Sequence, residues 1–141
     1  MIQARRIGYM VMVIILLFSS VLSVSAAAAE GVEPRLNNTN DVTANFVIID
    51  ANNAVISATF EGHRGITSNA TIKIQLQRKV LFWWTDVDSA SWTDSFNNYY
   101  GTASHSIRLS KTGEYRAVID FTIYGSGGTP DTLSLTLYDE C

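Results

Sequence analysis

The sequence has a single cysteine, Cys141, so no internal disulfide can brace it and the fold must rest on a buried apolar core. Histidine is nearly as scarce. His63 and His105 stand in no His-x-His, Asp-x-His or cysteine-partnered spacing, and a zinc site needs three or four converging ligands. No metal or cofactor is therefore assigned. His105, between Ala103 and Ile107, reads as a hydrogen-bonded core or edge residue. There is no Gly-x-Ser-x-Gly element: Gly125-Ser126-Gly127-Gly128 lacks the intervening residues and, with Thr129-Pro130-Asp131 behind it, reads as a strand connection. Cations are few and form no basic cluster, which argues against nucleic acid as partner, because phosphate contacts supply most of that affinity. A helical period is missing everywhere after the first thirty residues.

Those first residues are different. Arg5 and Arg6 precede an uncharged run, Ile7 to Ala29, whose apolar first part gives way to serines and then four alanines before Glu30. A basic start, an apolar stretch and small residues are the three parts of a secretory signal. Arg5-Arg6 lacks the flanking residues of a twin-arginine signal. The run is long enough for a membrane anchor, which needs about 20 residues. Its serines and alanines favour cleavage over anchoring. Loss of Arg5 and Arg6 leaves eight Lys and Arg against thirteen Asp and Glu, a net charge of −5. The expected organisation is a signal peptide over 1–26, a flexible lead-in over 27–41 containing Pro34, and one domain over 42–141. The expected site of action is extracellular, secreted or cell-surface associated, with membrane contact only in transit.

From Val42 onward the hydrophobic period is two. Val42, Ala44, Phe46 and Ile48 share one face, as do Ala54, Ile56, Ala58 and Phe60, and then Ala70, Ile72, Ile74 and Leu76. Such alternation marks half-buried antiparallel strands. Further strands are expected over 80–87, 102–109, 115–124 and 132–138, with 88–101 a polar-aromatic loop that has at most a short edge strand. About seven short strands with frequent turns imply an all-β, single antiparallel sandwich.

Leu109 is followed by Ser110-Lys111-Thr112-Gly113-Glu114-Tyr115, which resembles the corner of immunoglobulin-like domains where a tyrosine hydroxyl bonds back to the backbone. Gly113 and Tyr115 are the expected structural residues of that corner. Ala117 stands where antibody domains carry a cysteine, and the 70–79 strand has no tryptophan, so the likeness is to the wider group of bacterial immunoglobulin-like sandwiches. Pro34-Arg35 with Asn37-Asn38-Thr39, Trp92-Thr93-Asp94-Ser95, Gly101 through Ala117 and Gly125 through Gly128 make the chain similar to small uncharacterised secreted proteins of Gram-positive bacteria. That resemblance implies export and a small β domain, and it carries no activity.

The chemistry that remains is aromatic. Trp83, Trp84, Trp92, Phe96, Tyr99 and Tyr100 crowd into eighteen residues beside Asp94, Asn97 and Asn98. Exposed tryptophan and tyrosine anchor protein interfaces, and beside amides and carboxylates they also suit sugar stacking. The leading expectation is a non-catalytic binding or structural module that makes protein–protein contact through this region. A carbohydrate or cell-wall binding module is the alternative, and a small secreted hydrolase a distant third. Asp86, Asp88 and Asp94 form an acidic group that a calcium ion would suit, although their spacing is not that of an EF-hand. The default for them is solvated loop carboxylates.

The exported protein is expected to begin between Ala27 and Glu30, since small residues precede each of those bonds. N-terminal sequencing checks this; membrane-bound material that keeps Met1 would establish an anchor instead.

Overall fold

The computed structural model describes residues 36–50 and 52–141. The expected signal peptide and the lead-in as far as residue 35 lie outside them. Seven strands follow in order: β1 (Thr39–Ile49), β2 (Asn53–Gly62), β3 (Thr67–Val80), β4 (Trp83–Phe96), β5 (Tyr100–Arg108), β6 (Glu114–Gly125) and β7 (Asp131–Glu140). They form two antiparallel sheets, ordered β1-β2-β5 and β4-β3-β6-β7, with no helix among the described residues. The protein is an all-β two-sheet sandwich.

The alternating residues make the interior. Ala54, Ile56, Ala58 and Phe60 of β2 face Ala70, Ile72, Ile74 and Leu76 of β3 and Ala117, Ile119, Phe121 and Ile123 of β6, all buried. Each buried Ile, Leu or Phe stabilises the fold by about 1.5–3 kcal/mol relative to exposure. The central strands therefore carry most of the core. Edge strands β1, β7 and β4 contribute half-buried residues, among them Val42, Ile48, Leu133, Leu135 and Trp92.

One strand was not legible in the sequence. Asp88 to Phe96, expected as loop, belongs to β4, which pairs with β3 over residues 83–86 and again over 91–96. The period is broken by a bulge: Gln75 pairs with Ser91 and Gln77 with Asp86, so residues 87–90 loop out opposite Leu76. Ser89 takes a positive φ of 60° within it. Such insertions flip the faces beyond them. Trp84 and Asp86 consequently point to the outer face of the sheet, whereas Ala90, Trp92, Asp94 and Phe96 point inward. The β3–β4 turn is likewise unmarked by glycine, proline or asparagine. Val80 pairs with Trp83 across a two-residue turn of Leu81 and Phe82, and Leu81 takes φ 56°, a conformation glycine usually supplies there.

The lead-in also proves shorter than expected, because its last residues are docked. Asn38 is fully buried; its side chain donates to the Thr129 carbonyl at 3.1 Å and accepts from the Gly127 N–H at 3.0 Å. The buried Asp131 carboxylate accepts from the Asn38 N–H at 2.7 Å, the Thr39 hydroxyl at 2.8 Å and the Asn37 N–H at 3.1 Å. Thr67 adds a hydrogen bond from its hydroxyl to the Asn38 carbonyl. These contacts pin the start of β1 in one sheet to the β6–β7 connection in the other. Burial alone would push the Asp131 carboxyl up, yet the hydrogen bonds from Asn38, Thr39 and Asn37 outweigh it and hold the group below the usual carboxylate range.

The opposite end has its own fastening. Tyr115 is 2% exposed, and its hydroxyl donates to the carbonyl of Lys111, four residues upstream, as the sequence reading expects of that corner. Gly113 has φ 131°, in the region glycine favours, and its N–H and carbonyl both bond to Cys141. Cys141 is thus half-buried and held against the core, not a free end.

Two outcomes follow. Tyr115→Phe keeps the ring but strands the Lys111 carbonyl, at a cost of about 1–3 kcal/mol in denaturant titration. Asp131 has a lower pKa folded than unfolded, so its stabilisation is complete above the unfolded value of about 3.9 and disappears as pH falls through the folded value. Asp131→Asn is expected to lose about 1–3 kcal/mol at neutral pH and to flatten the acid side of the stability–pH curve.

Candidate functional site

The bulge and the turn disperse the six aromatic residues that cluster in sequence. Trp92 and Phe96 lie on the inner face of β4, packed on the core. Phe96 meets Phe60 with ring centroids 5.5 Å apart, above Gly101, where a Cβ would collide with Phe96 and lie 2.9 Å from Phe60. Tyr99 and Tyr100 sit at the same end, edge to face at 5.0 Å, with the Arg64 guanidinium 5.8 Å from the Tyr99 ring. Trp83 and Trp84 are at the other end of β4, opposite Val80 and Lys79 of β3 where Phe96 is opposite Ala70, roughly 30 Å away at a rise of about 3.3 Å per residue. No single surface contains all six.

Trp92 and Asp94 instead form a seam. The Trp92 ring stacks on His105 of β5 at 4.8 Å, with 11° between planes, and His105 Nε2 lies 2.6 Å from Asp94 Oδ2. Both partners are half-buried where the edge strands of the two sheets approach. His105 is therefore hydrogen-bonded at an edge, as its position predicts, but its carboxylate partner was hidden by the loop assignment of residues 88–101. The inward alternation Ala90, Trp92, Asp94, Phe96 was the signal that could have placed it. Among the described residues, no hydroxyl or thiol is hydrogen-bonded to His105. His63 lies in the β2–β3 connection, its N–H donating to the Asn38 carbonyl at 3.2 Å.

The acidic group is likewise divided. Asp86 accepts from Gln77 Nε2 at 2.7 Å on the outer face, Asp94 faces inward to His105, and Asp88 is exposed in the bulge. The three carboxylates do not converge, and no cluster of three or more His, Cys, Asp or Glu exists among the described residues.

What the structure does concentrate is apolar surface at the β3–β4 hairpin tip. Leu81, Phe82 and Trp83 are 82%, 90% and 75% exposed, and Val80 is 43% exposed. At about 150–250 Å² per large ring, the tip presents several hundred Å², within the size range where apolar patches on soluble proteins mark contact sites. Sequence reasoning missed Leu81 and Phe82 by placing them inside a strand. The hairpin alternation, with Val80 and Trp83 paired, shows that they form its turn.

Directly behind the tip, the outer face of the four-stranded sheet carries an ordered polar–aromatic grid. Asp86, Gln77, Arg116 and Tyr138 occupy one row across β4, β3, β6 and β7, and Trp84, Lys79, Glu114 and Glu140 the next. Arg116 Nε donates to Gln77 Oε1 at 2.7 Å, and its guanidinium lies 4.5 Å from the Trp84 ring centroid. Trp84 in turn meets Tyr138 at 5.7 Å and 61°. The Lys79 ammonium lies 2.5 Å from Glu114. Long side chains on a solvent-facing sheet are thereby held in one arrangement.

No protein-family model matches the chain, and no curated protein matches it. Among solved structures, the chain is similar to OgpA from Akkermansia muciniphila, known from a crystal structure, at 11% identity and a TM-score of 0.36. The match covers 73% of this chain but only 30% of that one. Likeness at that level carries no argument about function.

Proposed function

We propose that the protein is an exported, non-catalytic binding module of immunoglobulin-like type that holds a protein partner through the β3–β4 hairpin. The immunoglobulin-like reading is supported by the strand orders β1-β2-β5 and β4-β3-β6-β7 and by the Tyr115 hydroxyl bonded to Lys111. Export rests on the basic, apolar and small-residue segments that open the sequence.

The observation that carries the binding reading is the tip itself. Three consecutive large apolar side chains face water at a turn, and the first of them holds a backbone conformation that costs a non-glycine residue roughly 1 kcal/mol or more. Neither feature contributes to the core. Glycine or asparagine at these positions would relieve the strain and the exposure together, so stability alone does not account for Leu81-Phe82-Trp83. A protruding Phe–Trp pair suits an apolar cleft in a partner, with the charged residues around it as a polar rim. Carbohydrate contact, the alternative, finds its support in the exposed ring of Tyr138. It would prefer coplanar rings, whereas Trp84 and Tyr138 meet at 61°.

A photoreactive group at Phe82 of the mature protein is expected to capture one specific protein from the envelope or medium of the exporting cells. The same group at Ser134, far along the outer face, should capture none. With the group kept at position 82, Leu81→Gly and Trp83→Ser should lose that capture while thermal stability changes by no more than about 1 kcal/mol. An adduct containing only glycan would favour the alternative, and no adduct at all would overturn both.

A further inference from the structure

The second row of the outer-face grid contains an arrangement that stability disfavours. Glu114 of β6 and Glu140 of β7 are directly paired across the strands and point to the same face. Like charges so placed repel and weaken a sheet. Lys79 pairs with Glu114 alone, which leaves the Glu140 carboxylate without an ion pair among the described residues. These groups rim a groove of about 450 Å³ lined also by Trp84 and Tyr138. That volume is in the range of small-molecule sites, which run from about 300 to 1,000 Å³.

The walls say what kind of ligand would relieve the repulsion. Trp84 and Tyr138 meet edge to face, so their ring planes make a corner and not the flat platform on which a sugar stacks. Aromatic faces attract cations, and Trp84 already holds one, the Arg116 guanidinium at 4.5 Å. Arg116 is itself fixed by Gln77, and Gln77 by Asp86, so Trp84 is positioned before any ligand arrives. A bare metal ion would find few oxygen ligands in a groove with two aromatic walls. A weakly hydrated cation with alkyl groups matches both features: its methyls lie against rings and its charge faces Glu140 and Glu114.

We propose that this groove binds an organic cation, specifically a quaternary or alkylated ammonium group, between Trp84, Tyr138 and the Glu114–Glu140 pair. The site is separate from the hairpin contact and does not depend on it. Its occupant supplies the positive charge that Glu140 lacks.

The three tryptophans provide the readout, since each indole N–H gives its own signal in a nitrogen-resolved NMR spectrum and Trp84→Phe identifies one of them. Choline chloride is the probe, with sodium chloride at equal ionic strength and methyl glucoside as controls. Choline is expected to shift the Trp84 signal saturably and to leave those of Trp83 and Trp92 in place, whereas neither control does so. Tyr138→Ala, at an exposed position, should weaken choline about tenfold or more. Glu140→Gln should weaken it as well, yet raise the thermal midpoint of the free protein, because it removes the repulsion. Trp83→Ser should leave choline affinity unchanged even though it disables the hairpin, so the two readings fail separately. The proposal is overturned by an unshifted Trp84 signal, by an equal response to sodium or to the glucoside, or by unchanged affinity in both Tyr138→Ala and Glu140→Gln.

Discussion

The apolar layer between the sheets bears on every other feature of this protein, because no covalent link holds them together. A lone cysteine leaves Ile56, Phe60, Ile72, Ile74, Leu76, Ile119, Phe121 and Ile123 to hold the two faces in contact. Hydrophobic burial has no direction, however. It presses the sheets together without deciding their alignment or closing their ends. That task falls to polar groups whose burial is costly unless they find partners. Asp131 and Asn38 close one end and the Tyr115 hydroxyl the other. The first joins segments distant in sequence and the second closes a local turn, and each would be destabilising if left unmatched.

Satisfying these buried groups frees the outer faces and the hairpin from any structural duty. Among the described residues, no side-chain nitrogen or oxygen is both buried and unpartnered. The irregularities of the chain then stand out by contrast. The Leu81 turn conformation, the exposed Phe82 and Trp83, and the facing Glu114 and Glu140 all lie at one end of the four-stranded sheet. Local choices that oppose stability in an otherwise consistent fold are where function is to be sought. Here they adjoin one another, the tip at the β3–β4 turn and the groove across the strands beside it.

The bulge in β4 links fold to surface. Were β4 regularly extended through residues 87–90, Trp84 and Trp92 would share a face, since they are an even number of positions apart. The insertion sends Trp92 inward to stack on His105 and leaves Trp84 outside with Arg116 and Tyr138. One aromatic-rich stretch of sequence thereby supplies a core seam, a surface groove and, at its start, the exposed tip.

The sequence by itself determined the all-β class, the inward faces of β1, β2 and β3, and the Gly113–Tyr115 corner, because these depend on neighbours within a strand or a turn. A period of two is a local property, and so is a tyrosine reaching back four residues. The extent of β4, the docking of Asn38 and of Cys141, and the partner of His105 were decided only by tertiary structure. Each depends on a contact between distant segments: Asn38 with Asp131, Gly113 with Cys141, Asp94 with His105. The candidate sites belong to this second group. The six aromatic residues were visible as a cluster, but a bulge with no glycine and a turn built from Leu81 and Phe82 left no mark of where the alternation changes face. Which rings meet water is set by strand register, and register is fixed by the partner strand.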